Sequence, residues 1–217
     1  MTLADLIDDF REESQDLGTP PFWSSARLAK LASEGQSEAC RRGDLLIDST
    51  SAMCSVDVTA DYPVVTLDPM ILEVKRASLS SSGYQLCPVT TAQMDSYASP
   101  WEQDSGNPTN YVTDYQTGAI RLYPKPEAND TLNLTVRRLP IDLVNDADEP
   151  EIRREAQPAL VQWMLYRAYS KQDADSFDPQ KAARALSEFE KEFGLKTSAR
   201  NEQWMRSANV VGADPIA

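Results

Sequence analysis

Gly43-Asp44-Leu45-Leu46-Ile47-Asp48-Ser49-Thr50-Ser51-Ala52-Met53-Cys54-Ser55-Val56-Asp57-Val58 is the stretch over which the hydrophobic period of this chain changes. Before it, Leu28, Leu31, Ala32, Gly35 and Ala39 recur at the spacing of one helix face. Within it, Cys54, Val56 and Val58 alternate with Ser55, Asp57 and Thr59, the period of a half-buried strand. The chain therefore leaves helix for strand near Asp48, and the fold class turns on where it changes back.

Toward the N-terminus, Leu3, Leu6, Ile7 and Phe10 predict a first helix, with Thr2 as cap and Asp5 completing a capping box. Gly18-Thr19-Pro20-Pro21 breaks it. A second helix is predicted from Ser24 or Ser25 to Arg42, with Gly43 as a left-handed stop. Toward the C-terminus, Val64 to Leu67 reads as a strand. Ile71 to Leu79, the turn Ser80-Ser81-Ser82-Gly83 and Tyr84 to Val89 read as a hairpin. A helical turn at Thr91 to Tyr97 and a loop over 98–110 follow. Tyr111 to Thr113, Ala119 to Tyr123 and Thr131 to Arg138 then read as a three-stranded meander.

Pro140 closes this region, and an acidic connector from Asp142 to Glu151 returns the chain to helix. Ile152, Ala156, Ala159, Leu160, Trp163 and Arg167 share one face, widened by Leu165, Tyr166 and Tyr169 into the arc of a central helix. Pro158 requires a kink there or a helix that begins at Gln157. Asp178-Pro179 is an N-cap followed by proline at the first helical position, and Ala182, Ala185, Leu186, Phe189 and Phe193 form a stripe ending at Gly194. The expected fold is α+β: a helical bundle built from N- and C-terminal helices, with an inserted antiparallel β domain and an extended C-terminal arm. The expected divisions are 1–47, 48–145, 146–195 and 196–217.

The composition excludes several functions. With 34 Asp and Glu against 21 Lys and Arg, the net charge is −13, the opposite of what phosphate neutralisation requires. The absence of His removes His-based triads, zinc sites with His ligands and the usual pH switch. Cys40, Cys54 and Cys87 fit neither a disulfide framework nor a metal knuckle, so reduced, buried or inert thiols are expected. Cys40 lies beside Arg41 and Arg42, which would lower a thiol pKa, but a cysteine nucleophile here lacks its usual base. No membrane-length apolar run and no signal-peptide pattern occur, which predicts a soluble chain, unprocessed at its start.

Asp173, Asp175 and Asp178 suggest an ion-binding loop, but an EF-hand needs Gly and Glu where this chain has Asp178 and Arg184. An interhelical turn whose last Asp caps the next helix accounts for them. Asp8/Asp9, Glu12/Glu13 and Asp148/Glu149/Glu151 read as solvated carboxylates rather than acid-base pairs. No catalytic, metal-ligating or cofactor-binding residue is assigned, and no cofactor is expected. Regional charges are −4, −6 and −4 for residues 1–47, 48–145 and 146–195, and +1 beyond. The near-neutral arm carries Trp204, Met205, Val210, Val211 and Ile216, apolar residues that usually mark a partner surface, with a disordered tail as the alternative because small and polar residues fill the spaces between them.

In order along the chain, Glu38-Ala39-Cys40-Arg41-Arg42-Gly43-Asp44, Gly118-Ala119-Ile120-Arg121-Leu122-Tyr123-Pro124-Lys125-Pro126, Leu134-Thr135-Val136-Arg137-Arg138-Leu139-Pro140, Ala159-Leu160-Val161-Gln162-Trp163-Met164-Leu165-Tyr166-Arg167-Ala168-Tyr169 and Phe189-Glu190-Lys191-Glu192-Phe193-Gly194 resemble the head-to-tail adaptors of short-tailed bacteriophages, the tail tubular protein A-like family. The resemblance covers about residues 23–195. It implies a structural virion protein of the neck, made in the bacterial host cytoplasm and without a catalytic motif. Its implied partners are the portal protein, the tail nozzle or tail tube protein and further copies of itself in a ring, usually dodecameric. The arm residues Trp204, Met205, Val210, Val211 and Ile216 then become candidates for a portal or subunit interface. An acidic channel suits such a ring, because it passes double-stranded DNA during genome ejection without binding it. The same charge predicts a monomer or weak oligomer in free solution that assembles on the portal. Two alternatives stand beside this reading: another virion ring protein such as a tail terminator, and a metal-dependent hydrolase using Asp and Glu.

Overall fold

The computed structural model describes residues 1–97, 100–171 and 177–196. The described chain forms two compact units. One comprises Met1–Leu46 and Leu139–Lys196 and is helical; the other comprises Ile47–Arg138 and carries all the strands.

Helix α1 spans Leu3–Ser14 and begins as the sequence predicts: Thr2 Oγ1 accepts from Asp5 N, and the Asp5 side chain accepts from Thr2 N at 2.7 Å. Helix α2 spans Ser25–Arg42, capped by the Ser24 hydroxyl on Arg27 N. Gly43 is not the expected left-handed stop. Its φ of −137° is extended backbone, and the chain runs straight on to Leu45 and Leu46, which pack against the helical core.

In the other unit, β1 (Ile47–Asp48), β2 (Ser55–Val58), β3 (Val64–Thr66), β4 (Ile71–Leu79) and β5 (Cys87–Val89) precede α3 (Thr91–Tyr97). Then come β6 (Ser105–Gly106), β7 (Asn110–Gln116), β8 (Ala119–Tyr123), β9 (Lys125–Pro126) and β10 (Asp130–Arg138). β10 is the central strand of the first sheet, antiparallel to β4 on one side and to β1 and β2 on the other. The second sheet has the order β3-β8-β7-β5, and β6 pairs with β9. The alternation that turns Leu132, Leu134 and Val136 inward on β10 meets Val65, Tyr111, Ile120 and Leu122 of the second sheet in one apolar core. Burial in this core, with the Glu73 charge nearby, pushes the Tyr111 phenol up to about 12.

Three expectations about pairing are corrected here. The return of the β4 hairpin is reduced to a bridge between Ser78 and Gln85; after Leu86, β5 joins the second sheet parallel to β7. The meander stops after the β7–β8 hairpin, and the strand expected as its third member is the centre of the other sheet. The β domain is mainly antiparallel, but the β5–β7 and β6–β9 pairs are parallel. The common reason is that alternation shows which face of a strand is apolar, not which strand lies beside it.

Asp48 locks the entry to β10's edge. Its carboxylate accepts from Thr50 N at 2.9 Å, from Ser51 N at 3.2 Å and from Arg138 Nε at 2.8 Å. The Thr50 backbone bond, then the Arg138 and Ser51 bonds, overcome desolvation and hold the carboxyl well below its usual range. Asp48→Ala is expected to lose roughly 2–3 kcal/mol at pH 7, as charge-assisted bonds are removed. Because the folded pKa is the lower one, the wild-type advantage is full above the unfolded value of about 4 and shrinks as pH falls through the folded value. Urea titrations of both proteins between neutral and acid pH measure it. A difference that does not change with pH would contradict the assignment.

Helix α4 spans Ala159–Tyr169 and α5 spans Pro179–Phe193. Pro158 immediately precedes α4 at φ −59°, where its missing N–H costs nothing, so α4 starts two residues later than Gln157 and is not kinked there. Ile152 and Ala156 are thus outside the helix; Ile152 is buried from an irregular segment, and Arg154–Ala156 forms a single 3-10 turn. Asp178 caps α5, its carboxylate accepting from Gln180 N and Lys181 N, and Gly194 leaves the helix at φ +82°. The helical core joins Leu6 and Phe10 of α1, Leu31 of α2, Leu160 and Met164 of α4, and Phe189 of α5. Gly35 lets α2 and α4 approach closely, since a Cβ there would lie 3.0 Å from Trp163 Cδ1 and the Trp163 side chain would have to shift.

Candidate functional site

The arm residues Trp204, Met205, Val210, Val211 and Ile216 lie outside the described residues, as do Asp173 and Asp175. Asp178 is the α5 cap. Asp8, Asp9, Glu12 and Glu13 are exposed along α1; partial burial, then the charges of Asp5, Glu12 and Asp8, push the Asp9 carboxyl up. Among the described residues no group of three or more His, Cys, Asp or Glu side chains could hold a metal ion. Cys40 and Cys54 are buried; Cys87 is exposed, so of the two expected readings burial does not apply to it, because it starts the short edge strand β5 with its side chain outward. The guanidinium of Arg42, beside Cys40, is committed to Glu38, Glu190 and the Gly194 carbonyl.

What the helical unit offers instead is interaction surface. The acidic connector, Asp142 to Glu151, is braced over its length. Ser33 Oγ accepts from Leu143 N at 2.9 Å and lies 3.3 Å from Leu143 O, while Gln36 donates to Ile141 O and accepts from Glu151 N at 2.6 Å. The Asp148 carboxylate accepts from Val144 N and Asn145 N, both at 2.8 Å, and these backbone bonds hold its carboxyl below the usual range. Leu143 is buried beneath this brace. Its neighbours Ile141 and Val144 stand out of it, 63% and 73% exposed.

A second surface forms where the chain turns between α1 and α2. Asp16, buried at 8% exposure, accepts from Phe22 N at 2.7 Å, from Trp23 N at 3.1 Å and from Arg11 Nη1 at 3.2 Å. This clasp places Trp23 edge-on to Phe10 and Tyr169 and leaves Phe22 about half exposed. Phe22, Trp23 and Arg27 line one side of a groove of about 480 Å³, and Arg167, Ala168 and Lys171 line the other. Arg167 pairs with Glu34 at 3.2 Å. Arg27 is exposed and makes no ion pair among the described residues. Asp16→Ala is expected to cost about 1.5–3 kcal/mol, since it orphans two backbone donors and takes the carboxylate from Arg11, which keeps its bond to Trp23 O. Thermal unfolding tests it; a change within a degree of wild type would show that the clasp holds nothing.

The β unit has its own groove, about 600 Å³, between Leu67–Val74 and the β7–β8 hairpin. Its Asp114 carboxylate is occupied by Thr91 N and Oγ1. Neither groove was foreseen from the sequence. The legible signals were Ile141 and Val144 as apolar residues flanking Asp142 at the start of an acidic connector, and Phe22-Trp23 directly after two prolines.

No match was found among curated proteins. A family model described as SU10 adaptor protein matches residues 1–211. The match takes in both units, the connector and the arm as far as Val211, leaving out Ile216. With helices at both ends around a β region and a family match over nearly its whole length, the chain belongs to the SU10 adaptor protein family, a family of phage head-to-tail adaptors.

Proposed function

We propose that this phage structural protein forms a ring in the virion neck, between the portal vertex and the tail nozzle, and that its role is non-catalytic. The family match over residues 1–211 carries this reading, and the charge of −13 supports the channel part of it. Duplex DNA moving through a ring is held back by every cation that anchors on a phosphate, so an acidic wall lets it pass. The arm, through Trp204, Met205, Val210, Val211 and Ile216, supplies contacts to the portal or to a neighbouring subunit. Net negative charge keeps free copies apart, and the portal supplies the template on which they close, usually as twelve.

Native mass spectrometry of the full chain, alone and mixed with the portal ring of the same phage, tests the proposal. A monomer or weak oligomer alone, bound one-to-one with portal subunits in the mixture, is the expected result. A closed ring that ignores the portal would overturn the placement and favour a tail component such as a terminator. Tight, salt-resistant binding to duplex DNA would overturn the channel. Stabilisation by Mg²⁺ or Mn²⁺ would favour the hydrolase alternative.

A further inference from the structure

The helical unit carries two surfaces that differ in sign and match in chemistry. The groove is aromatic, lined by Phe22 and Trp23, and its cationic character rests on the exposed Arg27, since Arg167 is paired with Glu34. The connector is aliphatic and anionic: Val144 within it and Ile141 just before it are exposed, as are Asp142 and Asp146. In a chain of net charge −13, a cationic groove is the place where another acidic surface can approach without repulsion.

The two surfaces lie toward opposite ends of α1. At its start, Leu3 N and Ala4 N donate to the connector carbonyls of Asp148 and Asp146 at 2.8 and 3.0 Å. In its last turn, Arg11 Nη2 donates to Trp23 O at the groove wall. From Leu3 to Arg11 helix α1 rises by about 12 Å, and the hydrogen bonds of Ser33, Gln36 and Asp148 hold the connector in place. One copy therefore does not fill its own groove with its own connector.

We infer that the groove of one copy receives Ile141 and Val144 of a second copy, with Arg27 facing Asp142 and Asp146. This rests on the ring proposed above. A contact between two different patches of identical chains is head-to-tail, the type that closes into rings. The brace makes it favourable, because the projecting aliphatics are already ordered before contact and lose little freedom on burial.

The test uses two full-length variants: Arg27→Glu, and Asp142→Lys combined with Asp146→Lys. All three positions are exposed, and thermal unfolding of each variant serves as the folding control. Subunit association is read by native mass spectrometry, on the portal and in concentrated free protein. Each variant alone is expected to associate about tenfold less well, since like charges then meet at every contact. An equal mixture is expected to restore association, because in an alternating ring every groove meets a connector of opposite sign. The connector variant is less acidic overall, so if global repulsion ruled, it would associate better than wild type; that result would overturn the inference. So would unchanged association of both variants, or loss of portal binding by Arg27→Glu that the mixture fails to restore, which would give the groove to the portal. The wild-type protein separates the two claims. If it ignores the portal while the mixing rule holds in free protein, the placement fails and the contact stands; if it binds the portal while the mixing rule fails, the reverse is true.

Discussion

Arg42→Ala is expected to destabilise the helical unit by about 3–5 kcal/mol, the range for removing one partner of a buried ion pair. The Arg42 side chain is 2% exposed, and its guanidinium meets Glu38 at 3.1 Å, Glu190 at 3.5 Å and the Gly194 carbonyl at 2.8 Å. It also lies over the rings of Trp163 and Phe189, at 5.6 and 5.0 Å. Truncation leaves the Glu38 carboxylate, 8% exposed, with Arg41, whose own side chain is 37% exposed and more hydrated. It also strips the end of α5 of the donor on Gly194 O. Arg42→Lys is expected to recover only part of the loss, because an ammonium cannot present the planar fork that serves two carboxylates and a carbonyl at once. Urea unfolding followed by circular dichroism measures both. A loss under about 1 kcal/mol for Arg42→Ala would show that the desolvation of these charges already cancels their attraction.

Phe189→Ala is expected to cost about 3–5 kcal/mol, the range for deleting a buried aromatic ring. Phe189 is fully buried, with its ring centroid 4.9 Å from that of Trp163 and 4.7 Å from that of Phe193. α4 and α5 close on each other through this cluster, so the cavity opens at their seam. Because Arg42 stacks on the same ring, the two substitutions are expected not to add: the double variant should lose less than the sum by about 0.5 kcal/mol or more. Strict additivity in a double-mutant cycle would mean that the cation and the ring act independently.

How far the sequence could be read depended on the range of the interaction. The capping box of Thr2 and Asp5 and the Asp178-Pro179 start of α5 involve residues within three positions of one another, and both are present as expected. Gly43 and Pro158 were harder. Each sits at a helix end whose geometry is set by what comes next: Leu45 and Leu46 packing on the helical core, and an irregular segment before α4 that buries Ile152. The two contact surfaces were harder still. Asp16 is six and seven residues from the amides it clasps, and Ser33 is 110 residues from Leu143. No local pattern marks such pairs.

By itself, the sequence determined the α+β class, the order of helices around a β region, the N-terminal caps of α1, α2 and α5, the acidic balance and the absence of His chemistry. Each follows from composition or from periodicity within a few residues, where backbone geometry alone relates one side chain to the next. Only the tertiary structure decided that Asp130–Arg138 is the centre of one sheet while Cys87–Val89 joins the other, that Cys87 is exposed, and that Ile141, Val144 and Phe22 stand out of a braced surface. The physical reason is that a strand's alternation is the same beside any neighbour, and burial is a property of what packs on a residue from elsewhere in the chain.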